Sequence, residues 1–459
     1  MMFKKLLFLF VIFFLILFNI TSFAGEINSK VNVFEKPIIN IDFSPVLFVA
    51  SPDGKRVAYA SQVEGKQFII IDGKAEKRYD GVSANLSFSP DSRHLAYGAQ
   101  SGNKQVVVVD GKEGKQYDVI GSSLVFSPDS GKIVYAAKTE KKCFVVVDGQ
   151  EGKSYEGIGS SIVFSPDSRH LAYGVLSGGK QLVSLDGKEG KKYDAIGSVI
   201  AFSPDSKNLV YWAQSDKKYF VVINEKEEKS YDLIRAGFTF SPDGKHLAYV
   251  AQKSNKWFVV VDGKEGKPYD NIGPVIFSPD NKRIAYSVQS GSKRFVVIDG
   301  QEGNSYDNIG STFVFSPDSR RFAYVAQSGN KRVVVVDGQE GKYYDNIGYG
   351  SIAFSPDGRR VLYGAQSGNK RFVVADGKEG KQYDDIISTS LAFSPDNRFF
   401  AYVAMSENKQ IVIVNEKEVD RYNGIIAVGK ERFVFDSFDS FRCLALKDKK
   451  IYLVEFKLK

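Results

Sequence analysis

From residue 47 onward the chain alternates short apolar runs of about four to six residues with polar turn segments. Residues 122–159 serve as a specimen. Ser122 to Ser127 (SSLVFS) is short and apolar, and Pro128-Asp129 ends it, because proline cannot donate to a strand ladder. In Ser127-Pro128-Asp129-Ser130 the proline presets a turn's second position and the aspartate can bond nearby amides, which predicts a tight hairpin. Lys132 to Ala137 (KIVYAA) reads as a second strand and Phe144 to Val147 (FVVV) as a third. The unbroken apolar character of the third suits a strand covered on both faces, as in a small sheet held between two others. Asp148-Gly149 signals another hairpin, and Ser154 to Ile158 reads as the fourth strand, with Gly159 leading onward. Four short antiparallel strands in about 38 residues make one propeller blade.

The specimen recurs. The phrase Phe-Ser-Pro-Asp places its aspartate at 53, 91, 129, 167, 205, 243, 280, 318, 357 and 396, a spacing of 37 to 39 residues. A lysine opens each third strand, from Lys66 and Lys104 through Lys409 to Lys449, which counts eleven repeats. Periods in this range mean solenoids, propellers or arrays. Helical solenoids are excluded by the lack of long segments of 3.6 periodicity, and a parallel β-helix uses a shorter coil. The predicted fold class is therefore all-β, a propeller of about eleven four-stranded blades. Eleven exceeds the usual four to eight, so two consecutive propellers are expected, residues 25–235 with repeats 1–5 and residues 236–459 with repeats 6–11. Repeats five and ten alone carry Asn224-Glu225-Lys226-Glu227 and Asn415-Glu416-Lys417-Glu418 in place of Asp-Gly-x-Glu-Gly, which favours that division. The uninterrupted array favours the alternative, one large ring. The last repeat ends after its third strand, Ile451 to Phe456, so Val31 to Glu35 is the expected donor of its missing fourth strand.

The phrase Phe88-Ser89-Pro90-Asp91-Ser92-Arg93-His94-Leu95-Ala96-Tyr97 resembles the blade motif of TolB-like and WD40-like propeller proteins. The resemblance covers nearly the whole chain after residue 24 and departs at both ends. Ala50 replaces the phenylalanine in the first repeat, and the last reads Phe438-Asp439 without Ser-Pro. It implies the propeller fold. It leaves function open, since such blades serve as protein-binding scaffolds, as gating domains and as sugar-active enzymes.

Lys4 and Lys5, the apolar run Leu6 to Phe18 and Ser22-Phe23-Ala24 have the three parts of a secretory signal peptide, residues 1–24, with cleavage expected after Ala24. An uncleaved anchor is the alternative; otherwise no stable membrane insertion is expected, and the chain is exported to the periplasm or the cell exterior. Net charge is +8 and falls to +6 once Lys4 and Lys5 are gone. Export argues against nucleic acid and leaves an acidic protein or anionic glycan as the expected partner. Cys143 and Cys443 are too few for a disulfide scaffold.

Because the repeats are internal copies, their columns can be compared. Invariant columns are most simply scaffold. The column after each lysine varies: Gln67, Gln105, Cys143, Gln181, Tyr219, Trp257, Arg294, Arg332, Arg371, Gln410 and Lys450. Strand connectivity puts these positions on the face that carries the second-to-third turns and the blade-to-blade crossovers. Aromatic and arginine side chains dominate binding surfaces, and arginine can hold carboxylates or phosphates with two prongs. Tyr219, Trp257, Arg294, Arg332 and Arg371 are therefore the candidate partner-binding residues, against the plainer reading that strand-entry positions tolerate variation.

No catalytic constellation, metal site or cofactor motif is found. His94, His170 and His246 share one repeat column, on blades two, four and six, and do not converge on one metal. Hairpins such as Asp110-Gly111-Lys112-Glu113-Gly114 have too few adjacent oxygen ligands for calcium. The expected function is a non-enzymatic exported scaffold. The alternative is a propeller-type lyase or hydrolase acting on an anionic polysaccharide.

Overall fold

A computed structural model describes residues 31–40, 47–348, 350–429 and 431–459; the expected leader and the cleavage point at Ala24 lie outside them. The specimen blade, the third, has strands Val119–Phe126, Ile133–Thr139, Lys142–Val147 and Gln150–Glu151, all antiparallel and in that order across the sheet. Its first turn is locked by Ser127, whose hydroxyl donates to Asp129 at 2.6 Å and accepts the Lys132 N–H at 2.9 Å. The turn between the third and fourth strands needs positive φ at both central residues, 49° at Asp148 and 80° at Gly149, the geometry that Asp-Gly favours in two-residue hairpins. Asp148 then accepts the Ile133 N–H at 2.9 Å, tying the turn to the start of the second strand.

One expectation moves. The fourth strand, expected at Ser154 to Ile158, consists instead of Gln150–Glu151 and an isolated bridge from Cys143 to Tyr155, while Gly157–Phe164 is the first strand of the next blade. The chain changes sheets between Tyr155 and Gly157, where the Glu156 N–H already donates to Leu176 of blade 4 at 3.2 Å. A glycine after the acidic residue therefore opens a blade rather than closing one.

Second strands such as Leu95–Ser101 are buried at five successive positions, because both faces of each small sheet lie against a neighbour. The core is accordingly divided into eleven clusters, each spanning one junction between blades. At most junctions the tyrosine that ends one blade meets the tyrosine of the next blade's second strand edge-on, as in Tyr117 with Tyr135, centroids 6.3 Å apart at 76°. First strands of successive blades touch, for example Gly157–Phe164 and Ala195–Phe202, so they line the axis and the short fourth strands lie outermost.

The blades form one ring. Blade 5 packs on blade 6 through Val210, Val221, Tyr249 and Val260, so no domain boundary falls at residues 235/236. Blade 11 packs on blade 1 through Leu444, Ile451, Val57 and Tyr59, so the circle closes and the division into propellers of five and six blades is not formed. Val31–Asn40 is the fourth strand of blade 11, antiparallel to Lys450–Leu458 from Val31↔Leu458 to Asn40↔Lys450. This is the donor expected at Val31 to Glu35, extended by five residues. Across the closure Arg442 donates to the Asp53 carbonyl at 3.0 Å, and Lys447 pairs with Glu35 at 3.0 Å.

Removing residues 31–40 leaves the Lys450–Leu458 edge unpaired and strips Val31, Val33 and Ile39 from two core clusters. The truncated chain is expected to unfold at lower denaturant concentration and to associate edge to edge. Urea titration and light scattering check this; an unchanged midpoint in a monodisperse monomer would contradict the closure.

Candidate partner-binding face

The lysine column and the Tyr-Asp crossovers lie together, and their chemistry is mutual. Lys104, Lys218 and Lys331 pair with Asp118, Asp232 and Asp345, each 14 residues on, at 2.5, 2.6 and 2.7 Å. Lys66, Lys180, Lys256 and Lys370 do the same with Asp80, Asp194, Asp270 and Asp384. The second oxygen of each aspartate caps a turn of the following blade: Gly102 N–H donates to Asp80 at 2.7 Å and Ser254 N–H to Asp232 at 2.9 Å. The lysine hydrogen bond first, and the turn amide second, hold Asp80, Asp232, Asp270 and Asp384 below the ordinary aspartate value. These contacts also place the second-to-third turns and the crossovers on one face, as expected. They show these seven lysines to be internally paired.

The last repeat slips by one. Lys450, not Lys449, stands opposite Lys447 as Lys104 stands opposite Ser101, while Lys449 sits in the turn at φ 60°. Ile451 thus occupies the variable column of that blade, and Lys450 belongs to the lysine column.

The variable column serves the same junctions in two ways. Gln67, Gln105, Gln181 and Gln410 accept the amides of Val82, Ile120, Ile196 and Ile425 in the next blade's first strand, at 2.6 to 2.9 Å. The residue 14 positions after each glutamine is Gly81, Val119, Ala195 or Gly424, which offers no side-chain acceptor. Where Trp or Arg replaces Gln, that position becomes Asn271, Asn308, Asn346 or Asp385. Asn271, Asn346 and Asp385 then accept the following amide themselves, at 3.0, 3.0 and 2.7 Å. Arg294 donates to Asn308 at 2.6 Å, and Arg371 pairs with Asp385 at 2.6 Å.

The five candidates are distributed one per blade across blades 5 to 9 and do not converge on one cavity. Tyr219 packs against Trp212, centroids 5.5 Å apart. Trp257 lies under Arg235 at 4.5 Å, and Arg235 also donates to Asn271 at 2.8 Å. Arg294 lines a polar cleft of about 290 Å3 between blades 7 and 8 with Gln289, Asn308 and Ser311. Arg332 is exposed, and among the described residues neither it nor Lys293 makes an ion pair. Sequence comparison of single columns missed Arg235 and the coupling to the position 14 residues on. That coupling was readable, since glutamine travels with a residue lacking an acceptor and Arg or Trp with Asn or Asp.

On the opposite face the three histidines bond Asp110, Asp186 and Asp262, each at 2.7 Å. Arg56, Arg321 and Arg360 make the same contact with Asp72, Asp337 and Asp376 at 2.9 Å, so the column's shared task is to hold the turn aspartate. Cys143 and Cys443 are both free, and burial pushes the Cys443 thiol up.

No family model matches the chain, and no curated protein matches it. Among solved structures it is similar to the Dos1 propeller, with 13% identity over 72% of this chain and 91% of that one, TM-score 0.34. The Cps50 (Swd1) β-propeller domain of Myceliophteria thermophila shows 14% identity over 56% and 96%, TM-score 0.26. TolB from Acinetobacter baumannii shows 14% identity over 54% and 77%, TM-score 0.25. The assignment of this chain as a propeller rests on its own strand pairing, and that fold is consistent with a scaffold or binding role.

Because the crossover aspartates are held below 3.8, their contribution to stability is complete above that value and is lost as pH falls below it. Urea midpoints are expected to be level from pH 7 to 5 and to drop from pH 4 to 2.5; a midpoint that rises on acidification would contradict the pairing. A double-mutant cycle on Arg371→Gln and Asp385→Gly is expected to show coupling of about 0.5 kcal/mol, since the pair is part exposed. Additive free energies from chemical unfolding would show that the two columns are not linked.

Proposed function

We propose that this chain is a non-enzymatic, exported β-propeller scaffold that docks an anionic protein or envelope polymer on the crossover face of blades 7 and 8. The observation that carries this reading is the unmatched positive charge there. Lys293 and Arg332 have no ion-pair partner among the described residues, and Arg294 is held by neutral Asn308, whereas the lysines of most other blades are neutralised by aspartate. Guanidinium groups fixed in this way can present their remaining N–H donors to carboxylates, sulfates or phosphates. Export is supported by Lys4, Lys5 and the apolar run Leu6 to Phe18, and a TolB-like role by the Ser-Pro-Asp turns. Trp257 and Tyr219 belong to the same arc as packing partners of Arg235 and Trp212, so they shape the surface beside the cations.

Binding of poly-glutamate and of heparin to the full chain tests the reading. Affinity is expected to fall with rising salt, and replacing Lys293, Arg294 and Arg332 together by Ala is expected to weaken it at least tenfold while the chain still unfolds cooperatively. Equal affinity of the triple variant would remove the face as a docking site. Turnover of an anionic glycan by the wild-type chain would establish the lyase or hydrolase alternative instead.

A further inference from the structure

On the face opposite the crossovers, the junctions of blades 3 with 4 and of 4 with 5 each hold a cleft between the third strand of one blade and the first two strands of the next. At four other junctions an arginine lies over the aromatic ring at this place. Arg56 lies over Phe88 at 5.3 Å, Arg321 over Phe354 at 5.4 Å, and Arg360 over Phe393 and Phe400 at 5.5 and 5.3 Å. At the junction of blades 4 and 5 this column holds the shorter His170, stacked on Phe202 at 6.4 Å. An open cleft of about 360 Å3 lies there, with Val183, Leu185 and Leu209 on its walls.

The junction of blades 9 and 10 shows what such a cleft accepts. Blades 5 and 10 share the turn Asn-Glu-Lys-Glu, in which a glutamate takes the place of glycine at positive φ, 67° at Glu225 and 64° at Glu416. A glutamate there is unfavourable on backbone grounds alone, since positive φ is uncommon outside glycine, asparagine and aspartate. In blade 10 the side chain turns inward. One Glu416 oxygen accepts the Tyr402 hydroxyl at 3.0 Å and the Lys381 N–H at 3.2 Å, and a Cβ on Gly380 would collide with it. The residues of that carboxylate seat recur between blades 4 and 5 as Tyr211 and Gly190, which line the cleft, and Lys191, which follows Gly190 in the chain. There Glu225 is exposed at the rim, so the seat is open.

We propose that the cleft between blades 4 and 5 binds a small free carboxylic acid with a short aliphatic body. Its carboxylate accepts from the Tyr211 hydroxyl and the Lys191 N–H, as Glu416 does from their counterparts, and its hydrocarbon lies along Val183, Leu185 and Leu209. Lys188 and Lys207 at the rim offset the charge of Glu225; Lys207 also reaches Asp205 at 3.5 Å. The neighbouring cleft between blades 3 and 4, about 330 Å3, sets two carboxylates, Glu151 and Asp186, against Lys132 and Arg169, whereas this one sets the single carboxylate of Glu225 against Lys188 and Lys207. This site is separate from the docking face of blades 7 and 8.

The probe is hexanoate, titrated calorimetrically against the full chain with 1-hexanol as the uncharged match. Hexanoate is expected to bind once per chain and hexanol at least tenfold more weakly. Tyr211→Phe is expected to weaken hexanoate about tenfold, as loss of a hydrogen bond to a charged group does, and to leave hexanol unchanged. His170→Arg, which installs the arginine that lies over the aromatic ring at four other junctions, is expected to abolish binding of both; thermal unfolding confirms that each variant folds. Equal affinity for hexanoate and hexanol, or indifference of hexanoate to Tyr211→Phe, would overturn the proposal. So would binding seen only with Glu225→Ala, which would mean that Glu225 fills its own cleft as Glu416 does.

Discussion

No blade of this chain can bury its own surface. Each sheet is four short strands, apolar on both faces, and the free energy of burying those faces becomes available only when another sheet lies against each of them. The repeat spends its invariant residues on that requirement. The Tyr-Asp aspartate caps a turn of the following blade, as Asp80 caps Gly102. The outer glutamate receives a lysine and often a tyrosine from the preceding blade, as Glu113 receives Lys77 and Tyr79. The Ser-Pro-Asp turn receives a serine hydroxyl from the next, as the Asp53 N–H donates to Ser92. Most of these groups are exposed and singly worth little. Their effect is geometric, because the same spacing is imposed at junction after junction and the ring can close.

That constraint changes the meaning of repetition. A lysine present in every blade invites interpretation as a charged surface, but a side chain already paired to an aspartate offers little to a partner. The informative residues are those where pairing fails. Arg294 on a neutral asparagine and Arg332 without a carboxylate are such departures. Departures tolerated by the scaffold are where a repeat protein has freedom to acquire specificity.

Strand number, turn chemistry and the donor of the closing strand were legible in the sequence, because they follow from local rules: proline ends a strand, Asp-Gly reverses it, and an incomplete last repeat needs a partner. Three features were not. The sheet change at Gly157 depends on which neighbour receives the strand, a tertiary matter that periodicity does not carry. The slip from Lys449 to Lys450 arises because the last repeat has consecutive lysines, and only pairing with Lys447 distinguishes them. One ring rather than two was hidden because the number of blades is set by the small angle at each junction, which depends on packing throughout the interface. The glutamine-to-arginine exchange was visible as variation, but its compensation 14 residues on emerges only when two columns are compared together.

The pairing of Val31–Asn40 with Lys450–Leu458 also orders events in time. Residues at the start of the described chain leave the ribosome early and must wait for the last strand before they find their partner. Until then blade 11 has an open edge and blade 1 an uncovered apolar face, the surfaces on which repeat proteins misassemble with copies of themselves. A contact of such long sequence separation is slow to form, since the chain entropy of joining its ends is lost before any bond is gained. The ring is thus a structure whose first segment is its last to be placed, and the intervening interval is when it most needs protection.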